Sequence, residues 1–156
     1  MKRIAVVIAM IGVASLWIIP IHEVAHEIGV VLAGLDPAGI DLGFSGPILV
    51  GSAHWKEPAE DWQVLAALSG PWILLYIPGI VILWLWRRRG MPSLLLAILV
   101  GQGGLYTALG LIRQYGDSEG MVHLGVPILA LVIFSVLALA TAGWGIMRYI
   151  IRAKLA

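Results

Sequence analysis

The sequence predicts an all-α integral membrane protein of about four transmembrane helices, with a short extracytoplasmic loop or β-hairpin after the first. Three observations carry that prediction. The 156 residues are 60% hydrophobic and only 12% charged, with mean hydropathy +0.97, whereas an ordinary soluble domain carries about 25% charged residues. Four apolar stretches reach the roughly 20 residues that a helix needs to cross a bilayer. The basic residues gather at the ends of those stretches rather than along one solvent face, so nothing in a net charge of +1 points to nucleic acid. The whole chain, 1–156, reads as one membrane-embedded domain.

The first span covers residues 4–32, with Pro20 as a candidate kink. Met1-Lys2-Arg3 ahead of it imitates a secretory signal, but Trp17-Ile18-Ile19-Pro20 offers no small-residue cleavage site, so a retained anchor is expected. The other spans are expected at residues 62–86, 94–112 and 122–146. Four crossings put Lys2, Arg3, Arg87, Arg88, Arg89, Arg148, Arg152 and Lys154 on one side, leaving Lys56 and Arg113 for the other. By the positive-inside rule both termini are then cytoplasmic. Arg87-Arg88-Arg89 reads as a headgroup anchor. Trp84, Trp86 and Trp144 are expected near the inner interface and Trp55 and Trp62 near the outer one, with Trp17 and Trp72 as packing residues.

Between the first two spans, residues 33–61 are too few for a domain. Gly39-Ile40-Asp41-Leu42-Gly43-Phe44 and Ile48-Leu49-Val50-Gly51 flank Ser45-Gly46-Pro47, a pattern that fits a small hairpin against the membrane and equally an irregular loop. In the third span, Gly101, Gly103, Gly104 and Gly110 read as close-packing positions, and Gln102 as a polar link to a neighbouring helix.

Chemistry concentrates at the end of the first span, in His22-Glu23-Val24-Ala25-His26. Two histidines four residues apart project from one helix face and can share a metal, while the adjacent Glu23 can hold a water. By composition such a match arises by chance in roughly one chain in three hundred. Its membrane setting sharpens it: a central acidic residue costs about 2.5–3.5 kcal/mol to insert, so Glu23 and Glu27 need partners, a metal or water. With no cysteine in the chain, the ligands must be His and carboxylate. Zn2+ is the expected ion, and a hydrolytic site wants a third protein ligand. Asp117 is the leading candidate because Gly116 before it permits a sharp, close approach; Glu119 and His123 are the alternatives. Glu27 is a candidate partner for a free histidine nitrogen, and His54 reads as solvated.

These residues resemble the site-2 protease family of intramembrane zinc metalloproteases. His22-Glu23-Val24-Ala25-His26 lies in the first core helix, Ser69-Gly70-Pro71 opens the second as the family's small-Gly-Pro segment does, and an aspartate follows near Gly120. The resemblance implies zinc bound by His22, His26 and Asp117 with Glu23 as general base. Two features depart from it. The chain has no asparagine, leaving Gln114, Tyr115 or Gln102 for any substrate contact, and the charge rule puts the motif towards the outer half of the bilayer rather than the cytoplasmic face.

The expected reaction is hydrolysis of peptide bonds in membrane-protein or membrane-associated substrates, a locally unwound segment being held by strand addition to the Gly39–Gly51 region. A zinc-binding membrane protein without hydrolysis, such as an assembly factor, and a small proton or metal transport subunit are the other classes that fit the same residues.

Overall fold

The computed structural model describes residues 2–45, 48–85 and 90–151. Among them, helix α1 (Lys2–Leu32) leads into an antiparallel hairpin of β1 (Pro37–Ser45) and β2 (Ile48–Trp55). Helix α2 (Asp61–Pro71) then passes through a π-helical turn (Trp72–Tyr76) into α3 (Ile77–Leu85). The chain closes with α4 (Met91–Arg113), the short α5 (Gly116–His123) and α6 (Ile128–Ile151). Four stretches are long and apolar enough to cross a membrane: Ile4–Leu32, Asp61–Leu85, Met91–Arg113 and Ile128–Ile151. The protein is a multi-pass, mainly helical membrane protein.

Helix α1 runs through Pro20 as one element. It stops where Gly34 takes a left-handed φ of 77°, with Gly34 N–H bonded to Val31 O and Leu35 N–H to Val30 O, the paired closure that caps helices ending in glycine. The chain then turns into the hairpin, whose register sets Leu42 opposite Gly51 and Ile40 opposite Ala53. Of the two readings of residues 33–61, the hairpin is the one that forms.

The fourth span begins at Ile128 rather than at residue 122. Residues 116–123 form α5, separated from α6 by Gly125 (φ 91°) and Pro127. Val122, Leu124 and Val126 are apolar, so hydropathy runs on across a break that only a glycine and a proline mark. Trp86, Arg87, Arg88, Arg89, Arg152 and Lys154, and Gly46-Pro47 of the hairpin turn, lie outside the described residues.

Small residues set how closely the helices pack. A Cβ on Gly101 would meet Ala142, one on Gly104 would meet Ala138, and one on Gly145 would meet Ala97, so α4 and α6 meet almost backbone to backbone. Helices α1 and α2 do the same: Gly29 faces the backbone of Ala66 and Ala67, and Gly70 faces the carbonyl of Ala25. At the end carrying the α3 and α6 termini, Trp84 donates its indole N–H to Thr141 Oγ1 at 3.1 Å, and the Arg148 guanidinium lies 4.1 Å above the Trp144 ring. Trp17, expected to pack, is 67% exposed and points out of the bundle; Trp72 is buried.

Candidate metal centre

His22 and His26 lie one turn apart on the same face of α1, their rings 4.6 Å apart edge to face. Asp117 reaches them from the other end of the sequence by a tight reversal. Helix α4 ends in Gln114 with φ 53°, Tyr115 is extended, and Gly116 has φ 71°. Asp117 follows in the first turn of α5, where free backbone N–H groups favour a carboxylate. The close approach expected of Gly116 is therefore made through its left-handed backbone.

Three atoms converge. His22 Nε2 lies 2.9 Å from Asp117 Oδ2, His26 Nε2 lies 3.0 Å from the same oxygen, and the two Nε2 atoms are 3.0 Å apart. A tetrahedral zinc site with bonds of about 2.0–2.1 Å has ligand–ligand edges of about 3.3 Å, so a small outward shift of each atom would admit an ion equidistant from all three.

The outer nitrogens explain why the inner ones face one another. His26 Nδ1 is 2.8 Å from the Ala67 carbonyl oxygen, which can only accept, so Nδ1 carries the proton and the neutral ring turns a lone pair inward at Nε2. His22 Nδ1 is 2.7 Å from the Tyr76 hydroxyl; with Nδ1–H donating to that oxygen, the second Nε2 is likewise bare. Asp117 turns its Oδ2 to the same point, so it too presents lone pairs there. A single proton can bridge only one pair of these three atoms. A cation satisfies all of them, and the donor set of two imidazoles and a carboxylate fits a divalent transition metal.

The Ala67 carbonyl is free for this task because of Pro71. In an α-helix the N–H of residue 71 would bond to the carbonyl of residue 67, and proline has none. Gly70 meanwhile lets the α1 backbone come within reach. The Ser69-Gly70-Pro71 segment thus brings α2 close and leaves an acceptor open opposite His26. Directly after it the helix widens into the π turn, which carries Trp72 and Tyr76 one turn apart. Tyr76 is 1% exposed and rests on Gly103, which has no Cβ to obstruct the ring. Trp72 donates to Thr107 Oγ1 at 3.1 Å, and Thr107 donates to Gly103 O at 2.9 Å.

Glu23 stands outside the ligand triangle and beside it, 6% exposed. The Ala53 backbone lies beside its carboxylate, and Gly51 packs against its side chain. A pocket of about 200 Å³ opens over Glu23, His22 and Asp117, walled by residues that include Val50, Tyr106, Tyr115 and Ser118.

Of the residues singled out in the sequence, His22, His26 and Asp117 come together with Glu23 beside them. Glu119 and His123 instead lie 3.5 Å from each other on the outer side of α5. Glu27 takes neither histidine nitrogen, since both are held elsewhere. Gln102 faces α1, its Nε2 donating to Ser15 Oγ at 2.6 Å, and lines no part of the pocket. His54 is half exposed beside Asp41. Sequence reasoning missed Tyr76, Trp72, Tyr106, Thr107 and the Ala67 carbonyl. The signals were there in part: Pro71 one turn after Ala67 frees a carbonyl, and Trp72 and Tyr76 repeat the four-residue spacing of His22 and His26. No protein-family model, curated protein or solved structure matches this chain.

Proposed function

We propose that this chain is an intramembrane zinc metallopeptidase that hydrolyses peptide bonds of membrane-protein or membrane-associated substrates, in the manner of the site-2 proteases its motif resembles. The observation that carries the reading is the triangle of His22 Nε2, His26 Nε2 and Asp117 Oδ2, its outer nitrogens tied and a non-ligating carboxylate beside it. Two imidazoles and a carboxylate also suit Fe(II); the four-residue His pair with an intervening Glu favours zinc. Zinc held there would polarise a substrate carbonyl and lower the pKa of a water to about 7. Glu23 takes the proton of that water and returns it to the leaving amine. The pocket's apolar and tyrosine walls admit a peptide segment, and the outer edge of β2 offers backbone groups for strand addition. The positive-inside rule supports a site in the outer half of the bilayer, with both termini cytoplasmic.

The test is elemental analysis of detergent-purified protein with cleavage of a single-span helix reporter. We expect about one zinc per chain in the wild type and none in His26→Ala or Asp117→Ala. Glu23→Gln should keep the zinc and lose turnover by about 10²–10⁴-fold, the contribution of a general base. Zinc retained by both ligand variants would overturn the metal site. Zinc lost by both, with no cleavage in the wild type, would leave a metal-binding membrane protein that is not an enzyme, and full turnover in Glu23→Gln would remove Glu23 as the general base.

A further inference from the structure

The hairpin touches the general base itself. Glu23 lies against Gly51, where any Cβ would run into the glutamate side chain, and the Ala53 backbone lies beside its carboxylate. Ala53 pairs with Ile40 across the hairpin. The Lys56 N–H bonds inward to the Asp36 carbonyl, and counting back along β2 from it makes Ala53 and Ile40 a pair whose backbone groups point away from each other. By the alternation of an antiparallel ladder, Gly51 and Ala53 therefore both turn their backbone to the outer edge of β2, the edge facing the pocket. An edge strand ordinarily leaves such groups to solvent. Here one of them lies beside a carboxylate one residue from a metal ligand.

We infer that β2 is a positioning element for catalysis: the Ala53 N–H orients the Glu23 carboxylate, and the missing side chain of Gly51 gives it room. One carboxylate oxygen is fixed by the amide, and the other is left for the water over the triangle. Helix α1 alone does not achieve this, because a glutamate has three side-chain torsions and the N–H groups of its own helix are taken up in the helical ladder. The hairpin therefore belongs to the catalytic apparatus, in addition to any role in holding substrate. This inference rests on the hydrolase reading for its kinetic consequence and on geometry alone for its physical one.

Two measurements test it. The first needs no substrate: amide hydrogen exchange at Ala53, by NMR, in the detergent-purified protein. The bond to Glu23 should protect this outward N–H, and Glu23→Ala should speed its exchange at least about tenfold while the inward-facing amides of Ser52 and His54 stay protected. Unchanged exchange at Ala53 overturns the inference. The second uses the helix reporter on zinc-loaded protein. Gly51→Ala, which crowds Glu23, and Ala53→Pro, which deletes the N–H without breaking a bond to β1, should each lower kcat about tenfold or more with zinc content unchanged and KM within about threefold. Gly12→Ala, in α1 two to three turns before the motif and with open space around it, should match the wild type. A rise in KM with kcat intact would reduce β2 to a substrate edge and overturn the positioning role. Should the wild type cleave nothing, the hydrolase reading fails by itself, and the exchange result still decides the geometry.

Discussion

Two seams in this molecule use the same device to different ends. Between α4 and α6, Gly101, Gly104 and Gly145 each meet an alanine methyl, and the result is a close contact with no metal-ligand side chain in it. Between α1 and α2, Gly29 and Gly70 meet backbone atoms, and the same closeness delivers the Ala67 carbonyl to His26 Nδ1. Close packing of small residues is thus structural in one seam and part of the candidate site in the other. The difference lies in one residue. Pro71 leaves a carbonyl unclaimed by its own helix, whereas the α4–α6 seam has no proline at the contact and keeps its carbonyls inside the helices.

The largest effect should come from widening the α1–α2 seam. Gly70→Ala forces a methyl onto the Ala25 carbonyl, which cannot rotate away, so the helices must part. We expect a loss of about 1–3 kcal/mol of stability, as for overpacked interiors, together with a fall of about 100-fold or more in zinc affinity. Gly104→Ala should cost a similar amount of stability, since its methyl meets Ala138 and the Ser135 carbonyl, yet leave zinc affinity in the folded fraction unchanged. Zinc titration beside thermal unfolding of the two variants reads both quantities. Equal loss of affinity in both would show that the seams are not separable.

Pro71→Ala isolates the carbonyl from the packing. The alanine restores an N–H that competes for Ala67 O, and it removes a residue that is unfavourable in a helix interior by about 3 kcal/mol relative to Ala. Stability should hold or rise while zinc affinity falls about 10–100-fold, the usual range for losing an outer partner of a metal-bound histidine. Calorimetric zinc titration checks it, and an unchanged affinity would assign His26 its orientation by packing alone.

The fold was largely legible because the bilayer enforces it. Long apolar stretches must become helices to satisfy their backbones, and the positions of Pro20, Gly70 and the glycines of α4 are all consistent with that. The error at residue 122 came from apolar residues that continue across a turn, where hydropathy is blind. At the site, His22, Glu23 and His26 were legible because they share one helical turn. Asp117 was legible only as one of three candidates, since ninety-one residues separate it from His26, and only tertiary structure shows Glu119 and His123 paired with each other. The Ala53 amide could not be read at all, and the Ala67 carbonyl only as one that Pro71 leaves free: backbone groups carry no residue identity, and the roles they take here depend on which neighbour the fold brings to them.

The smallest effect separates a glycine that packs from one that merely sits in a helix. Gly143 lies in α6 between Ala142 and Trp144, and a Cβ there would meet nothing within 4 Å, although its neighbour Ala142 is buried against Gly101. In a helix interior the change from Gly to Ala stabilises by about 0.5–1 kcal/mol, so Gly143→Ala should raise stability by that amount, with zinc affinity and turnover unaltered. Gly104, across the same seam, should lose stability under the identical substitution. The opposite signs follow from which way each Cβ points, and a chemical unfolding titration of the pair measures them directly. A loss of stability in Gly143→Ala would mean that this face of α6 meets a surface beyond the described residues, because none of those occupies the space the methyl enters.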